Sequence, residues 1–210
     1  MLQISWSDVA APWQHAFTEA WSAYRAEAWP IGAAVTDAQG QVLYVGRNAV
    51  LSDSDTDIHN RLEHAEYRAL RQIPAIRVHE AHHYSLYTTV EPCPLCFGAL
   101  VMSNVRHLAY AAADPHAGSA RLVDATPFIR SKAITIDGPE ASLAPLSTLL
   151  LLDYTRRHVS DPGPRMHDLI EMDPAIAELL HQWSHTDRLL MAARDGATIR
   201  ELYDTLNYSA

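Results

Sequence analysis

The 210-residue chain is poor in positive charge and in long apolar runs. It has a single lysine, Lys132, and its 16 basic residues face 25 acidic ones, which gives a formal net charge of −9. A protein that grips a phosphate backbone carries an excess of lysine and arginine, so this balance weighs against nucleic acid as a partner. No apolar run approaches the ~20 residues of a membrane span, and we expect no membrane partner. The N-terminus lacks the pattern of a signal peptide, so we expect a cytoplasmic protein.

Cysteine is equally scarce. The two cysteines, Cys93 and Cys96, lie three positions apart. So few cysteines exclude a disulfide framework, and in a cytoplasmic chain a close pair indicates metal or redox chemistry.

The order of the sequence patterns predicts an α/β fold. Apolar periodicity predicts helices at residues 7–28, with Ser7 as the cap, and at 63–72, 94–103, 121–128 and 146–154. β-prone segments predict strands at residues 31–36, 41–45, 84–90, 105–111 and 133–136, with a hairpin turn at 37–40. This alternation indicates a five-stranded mixed sheet with helices on both faces, and the helix between the last two strands makes that pair parallel.

The composition changes after His158, which predicts a boundary between a domain of residues 1–158 and an extension of residues 159–210. The extension is acidic, with four arginines against nine acidic residues. Asp173 before a proline predicts the start of one helix, and Thr198 with Glu201 forms the capping box of another. We therefore expect two helices here.

The polar segment of residues 52–57 contains three aspartates and could be either a calcium loop or a solvated loop. It lacks the glycine and the closing glutamate of the twelve-residue calcium loop. A solvated loop is therefore favoured.

Four residues in two short motifs carry the chemistry. The first motif is His64-Ala-Glu66, and the second is the pair Cys93 and Cys96, which begins 29 residues after His64. A helix N-terminus favours the thiolate form of cysteine, and a spacing of two residues lets both sulfurs face one ion. Two sulfurs and one nitrogen leave the fourth tetrahedral position of zinc open, as in catalytic sites. Glu66 need not bind the metal and can take a proton from the water that zinc activates.

Two other interpretations of the cysteine pair remain open. A Cys-x-x-Cys motif also occurs in thioredoxin-like redox proteins, although the His-x-Glu motif upstream of Cys93 disfavours that. A zinc site without turnover is the second. Glu66 argues against it, because a purely structural site has no use for a free carboxylate beside the metal.

His64-Ala-Glu66 together with Pro92-Cys-Pro-Leu-Cys96 resembles the zinc signature of the cytidine deaminase-like superfamily. Residues 29–35, the segment Gly46-Arg-Asn48 and residues 89–99 are similar to the branch that contains tRNA adenosine, guanine and cytosine deaminases. The resemblance covers about residues 13–158. It implies a three-layer α/β/α fold with a C-terminal helical extension, and Zn²⁺ as the cofactor.

By the same resemblance, His64, Cys93 and Cys96 bind zinc and Glu66 is the catalytic proton shuttle. It also implies that Asn48, Ala65 and Asp114 contact the substrate, and that the chain forms a homodimer. The gap between Asn48 and His64 is longer than in the tRNA-editing members. From the residues alone, Asn48 and Asp114 could equally cap turns.

Three functions follow as hypotheses. The first is hydrolytic deamination of a small amino-heterocycle, a nucleobase or nucleoside; the resemblance favours a purine-like ring, and pyrimidine and pteridine rings stay open. The second is deamination of tRNA adenosine, which the acidic charge disfavours. The third is a zinc-bearing binding protein without turnover.

Overall fold

The fold is built on a five-stranded mixed sheet in the order β2-β1-β3-β4-β5. The computed structural model describes residues 4–50, 60–160 and 163–208, so the acidic segment of residues 52–57 lies outside the described residues. β1 pairs antiparallel with β2 and β3, whereas β4 pairs parallel with β3 and β5. The predicted sheet and the parallel last pair are therefore confirmed. The strands are β1 Gly32–Thr36, β2 Val42–Arg47, β3 Ser85–Val90, β4 His107–Ala112 and β5 Thr135–Asp137.

Helices cover both faces of the sheet. Phe17 of α1 and Leu149 of α5 belong to one apolar cluster, whereas Leu70 of α2 and Phe97 of α3 belong to a second. Two clusters divided by a sheet make the three layers that the resemblance implied. The helices of this part are α1 Ala11–Arg25, α2 Ala65–Leu70, α3 Pro94–Met102, α4 Pro127–Arg130 and α5 Ala144–His158.

The bounds of several predicted helices are wrong, most of all those of the first helix and of the helix expected at residues 121–128. The first helix begins at Ala11 rather than at Ser7, because extended backbone at Ala10 separates it from a 3₁₀ turn at Trp6–Asp8. The helix expected at residues 121–128 is divided into a 3₁₀ turn, Ala120–Asp124, and α4. Thr126 causes the division, because its extended backbone ends the turn and its Oγ1 accepts a hydrogen bond from the N–H of Ile129 at 3.1 Å.

The extension contains four helices among its described residues, so the prediction of two is wrong. They are α6 Gly163–Met172, α7 Pro174–Ser184, α8 Arg188–Arg194 and α9 Ile199–Tyr208. The predicted helices are α7 and α9, and both caps are confirmed. Asp173 Oδ1 accepts from the N–H of Ile176 at 3.1 Å, and Thr198 and Glu201 exchange the two bonds of a capping box.

The extension packs on α1 and α5 and shares their apolar cluster. Trp183 and Tyr203 are buried there, and Trp21 Nε1 of α1 donates a 2.6 Å hydrogen bond to the carbonyl of Ala197. The Tyr203 hydroxyl donates to the carbonyl of Ile4 at 3.0 Å. The division at residue 158 stays a prediction. One apolar cluster contains residues from both sides of it. Across the described ranges, every helix is too short or too polar to cross a bilayer.

Candidate metal centre

The position of His64, the histidine predicted to bind the metal, depends on a close contact between a strand and a helix. His64 is the cap residue of α2, with extended backbone at φ −71° and ψ 149°. α2 lies on β2 at Gly46, where a Cβ atom would come within 2.2 Å of the carbonyl oxygen of Ala65. Only glycine permits this approach, so Gly46 sets the distance between the sheet and the helix that begins at His64.

The two cysteines lie at the start of α3, directly after β3 ends. Cys93 is the cap residue, with Pro94 in the first helical turn, and its carbonyl accepts from the N–H of Phe97 at 2.9 Å. Cys96 is fully buried in the same turn, whereas Cys93 is half-buried. The sequence prediction that both sulfurs belong to a helix N-terminus is therefore confirmed.

The three predicted ligands converge. Sγ of Cys93 and Sγ of Cys96 each lie 3.5 Å from Nδ1 of His64, and the three ligand atoms lie within 4.8 Å of one another. Zinc bonds of ~2.3 Å to sulfur and ~2.0 Å to nitrogen, at a tetrahedral angle, place these donors roughly 3.6 Å apart. The donor set therefore fits zinc in type and spacing. No other such group of three occurs within the described residues.

The donors are electrostatically coupled. Hydrogen bonds from the Cys96 thiol and from His64 lower the pKa of Cys93 to about 4 against the opposing effect of burial. The hydrogen bond to Cys93 in turn raises the pKa of His64. The Cys93 sulfur therefore reaches the thiolate form, the form that binds zinc, at a lower pH than a free thiol does.

Glu66 lies on the first turn of α2 and is only 3% exposed. Burial raises the pKa of its carboxyl to about 7, with a further rise from the charge of Cys93. A buried carboxyl next to a metal-ligand set, and outside that set, is the arrangement of a general acid and base rather than of a structural site.

Two of the three residues predicted to bind substrate, Asn48 and Asp114, accept turn hydrogen bonds from nearby backbone N–H groups. Oδ1 of the buried Asn48 accepts from the N–H of Val50 at 2.8 Å. Oδ1 of Asp114 accepts from the N–H groups of His116 and Ala117, each at 3.0 Å. Both residues thus make the turn contacts that the sequence allowed, and their contact with substrate stays a prediction. Ala65 is fully buried at the first position of α2.

Sequence reasoning assigned no role to Glu91, although it lies two residues before Cys93. Its two carboxylate oxygens accept hydrogen bonds from the backbone N–H groups of Asp114 and Ala120. One feature of the sequence could have indicated this role: an acidic residue directly follows the apolar strand β3. A carboxylate without hydrogen-bond partners would be poorly solvated there, so partners were to be expected.

The fold and the donor set together define a class, a three-layer α/β/α protein that has, in the part of the chain that the structure describes, one His-Cys-Cys set able to hold a metal and a buried carboxyl beside it. The family model described as "Cytidine and deoxycytidylate deaminase zinc-binding region" matches residues 8–112, which is half of the chain. The chain therefore belongs to this family.

Relatives fall into several named groups. The chain is 26% identical over 148 residues to a tRNA-specific adenosine deaminase of Rickettsia felis, covering 69% of this chain and 98% of that protein. It is 30% identical over 96 residues to a guanine deaminase of Bacillus subtilis, covering 45% and 58%. To a tRNA(Ile)-lysidine synthase of Deinococcus radiodurans it is 37% identical over 91 residues, or 43% of this chain, and it spans only 15% of that longer protein.

Solved structures share the fold. A chain from a study of A-to-I editing by tRNA:A34 deaminases at the wobble position of transfer RNA aligns with a TM-score of 0.50 at 25% identity, covering 67% of this chain and 98% of that one. A guanine deaminase from Nitrosomonas europaea aligns with a TM-score of 0.53 at 22% identity, covering 73% and 86%. The second likeness concerns the fold alone.

Proposed function

We propose that the chain is a zinc-dependent hydrolytic deaminase that acts on a small amino-substituted nucleobase or nucleoside of the purine type. One observation carries the proposal: the buried carboxyl of Glu66 lies on the same short helix as His64, beside three donors whose spacing fits zinc. A zinc site needs no such carboxyl for binding alone.

His64 through Nδ1, and Cys93 and Cys96 through Sγ, would hold the ion, which would supply a Lewis acid that activates a water molecule. The carboxylate of Glu66 would take a proton from the attacking water and deliver it to the ring nitrogen next to the amino-bearing carbon, as the water oxygen bonds to that carbon. Glu66 would then carry the second proton of the water to the amino group, so that the carbon–nitrogen bond breaks, ammonia leaves and the ring keeps the oxygen.

Charge supports a small substrate. The formal net charge is −9, and the extension, with four arginines and nine acidic residues, adds to the excess. A polyanion would be repelled by both parts of the chain. The guanine deaminase of B. subtilis among the relatives acts, as its name says, on a base of this size, which favours a purine-like ring.

Deamination of tRNA adenosine is the second candidate, because the R. felis relative is aligned over 98% of its own length. A cavity of about 290 Å³ beside α2 is lined by Arg47, Arg68 and Arg71 and could accept a phosphate. Glu63 forms ion pairs with Arg68 and with Arg71, the latter at 2.9 Å, so much of this positive charge is already neutralised.

We also propose a cytoplasmic homodimer. Large apolar side chains are exposed at Ile76 (87%), Met102 (71%) and Phe128 (52%), and a subunit interface would remove such side chains from water. Sedimentation of the zinc-loaded protein gives the oligomeric state directly.

Ammonia release tests the proposal. Zinc-loaded protein is assayed on guanine, guanosine, adenine, adenosine, cytosine and cytidine, and on a tRNA anticodon stem-loop. The Glu66→Gln variant is the matched control. We expect turnover of a purine-type compound, and an inactive variant that still binds one zinc. Turnover of the stem-loop alone would establish the second candidate, and no turnover on any compound by a zinc-loaded protein would leave only the binding-protein hypothesis.

A further inference from the structure

A short segment after β4, residues 113–120, is attached to the residues that immediately precede Cys93. The N–H of Ser119 donates to the carbonyl of Pro92 at 2.9 Å, and the N–H of Glu91 donates to the carbonyl of Ala112 at 2.7 Å. These bonds bring the segment to within one residue of a metal ligand. The segment therefore forms part of the surroundings of the metal centre.

The carboxylate of Glu91 bridges both ends of this segment. Oε2 accepts from the N–H of Asp114 at 3.2 Å, and Oε1 accepts from the N–H of Ala120 at 3.0 Å. Hydrogen bonds to an ionised acceptor are stronger than those between neutral groups, and each oxygen here is aimed at a different end. One side chain thus fixes the separation between the two ends.

The interior of the segment is held by the segment itself. Asp114 accepts two backbone bonds through Oδ1, and its carbonyl accepts from the N–H of Gly118 at 2.8 Å. A Cβ on Gly118 would lie 2.3 Å from Oε2 of Glu91 and 2.4 Å from the carbonyl oxygen of Asp114. Glycine at this position is what lets the carboxylate reach its partners.

We propose that Glu91 is a positioning residue, which holds residues 113–120 beside Cys93 as one wall of the substrate site. The inference rests on the proposed function, since the wall matters only if the site accepts a heterocycle. Glu91 would touch neither the metal nor the substrate, and would act through the backbone it binds.

Two variants break the same contact by opposite routes. Glu91→Gln keeps the size of the side chain but turns an amide NH₂ toward one of the two backbone N–H donors. Gly118→Ala keeps the carboxylate and displaces it by steric contact. The control is Glu171→Gln, which removes the same charge from an exposed position of α6.

Both variants should raise KM by about tenfold, the effect of losing one bond to a charged acceptor, with a smaller change in kcat and with one zinc retained. The amide hydrogens of Asp114 and Ala120 should exchange at least tenfold faster than in the wild type and in Glu171→Gln.

Unchanged exchange in both variants overturns the proposal, whether or not the protein turns over any substrate. Faster exchange with KM unchanged in an active enzyme also overturns it, because the segment would then be fixed without shaping the site. Absence of turnover in the wild type counts against the proposed function, and in that case the exchange rates alone decide whether Glu91 holds the segment.

Discussion

The hydroxyl of Tyr24 on α1 donates a 2.5 Å hydrogen bond to Oδ2 of Asp153 on α5, in the interior of the protein. Both side chains are buried, and Arg156 and Arg157 also donate to the same carboxylate. The contact ties the helix that begins the fold to the helix that precedes the extension. A buried carboxylate of this kind is stable only while its hydrogen-bond partners are in place.

Tyr24→Phe should lower the free energy of unfolding by about 1–3 kcal/mol, because it removes one donor to a buried charge and leaves the shape unchanged. Urea denaturation measures the change. Tyr44→Phe, on the edge strand β2, is the matched control and should be close to neutral. Equal stability of the two variants would show that the arginines alone satisfy Asp153.

The same contact predicts a loss of stability in alkaline solution. Burial, together with Asp153, raises the pKa of Tyr24 well above its usual range. In the unfolded chain tyrosine ionises near pH ~10, so above that pH the unfolded state releases a proton that the folded state retains. The contribution of Tyr24 to stability should therefore be constant below pH ~10 and fall above it. The slope should be shallower in Tyr24→Phe but not zero, because burial also raises the pKa of Tyr87, Tyr110, Tyr154 and Tyr203.

Metal removal should destabilise the wild type and leave a ligand variant unaffected. Chelation takes from the folded state an ion that the unfolded chain binds poorly, so the melting temperature should drop. Cys93→Ser should contain less than one zinc as purified, and its melting temperature should not respond to the chelator. Calorimetry with metal analysis checks both. A wild type whose melting temperature ignores the chelator would contradict a zinc centre at His64.

The extension should be required for the stability of the whole chain. Tyr203 of α9 is fully buried, so Tyr203→Ala should cost about 3 kcal/mol or more, the usual effect of removing an aromatic side chain from a core. Arg200→Ala on the exposed side of the same helix is the control. A single unfolding transition that shifts for Tyr203→Ala supports one cooperative unit. If only a minor, early transition shifts, residues 159–210 unfold on their own, as the predicted domain division implies.

Local patterns predicted most of the fold. The sheet and the two helix starts at the metal centre follow from periodicity and from His64 and Cys93, because each signal lies in a few adjacent residues. α8 was not predicted, although Asp187, a residue type favoured at helix starts, directly precedes it. Asp187 adopts a left-handed conformation with φ 45° and makes no side-chain cap. Such a start is set by packing against other helices, which a local pattern does not contain.

The site shows the same limit. The convergence of His64, Cys93 and Cys96 could be predicted because the spacing of these donors in the sequence is itself what a shared metal ion requires. Glu91 could not, since its partners, the N–H groups of Asp114 and Ala120, are backbone atoms 23 and 29 residues away. Every residue except proline offers a backbone N–H, so the identities of the partner residues do not indicate such a contact.

His64 and Cys93 are the two ends of a stretch that contains the whole of β3, and their ligand atoms are 3.5 Å apart. In a loosely ordered chain, an ion could join them only by closing that loop, at an entropic cost that grows with the logarithm of its length. In the native protein the folded sheet and its helices already bring the two ends together. A zinc ion bound there would join the residues on either side of the central strand β3, and we expect it to be released more slowly while the sheet stays intact.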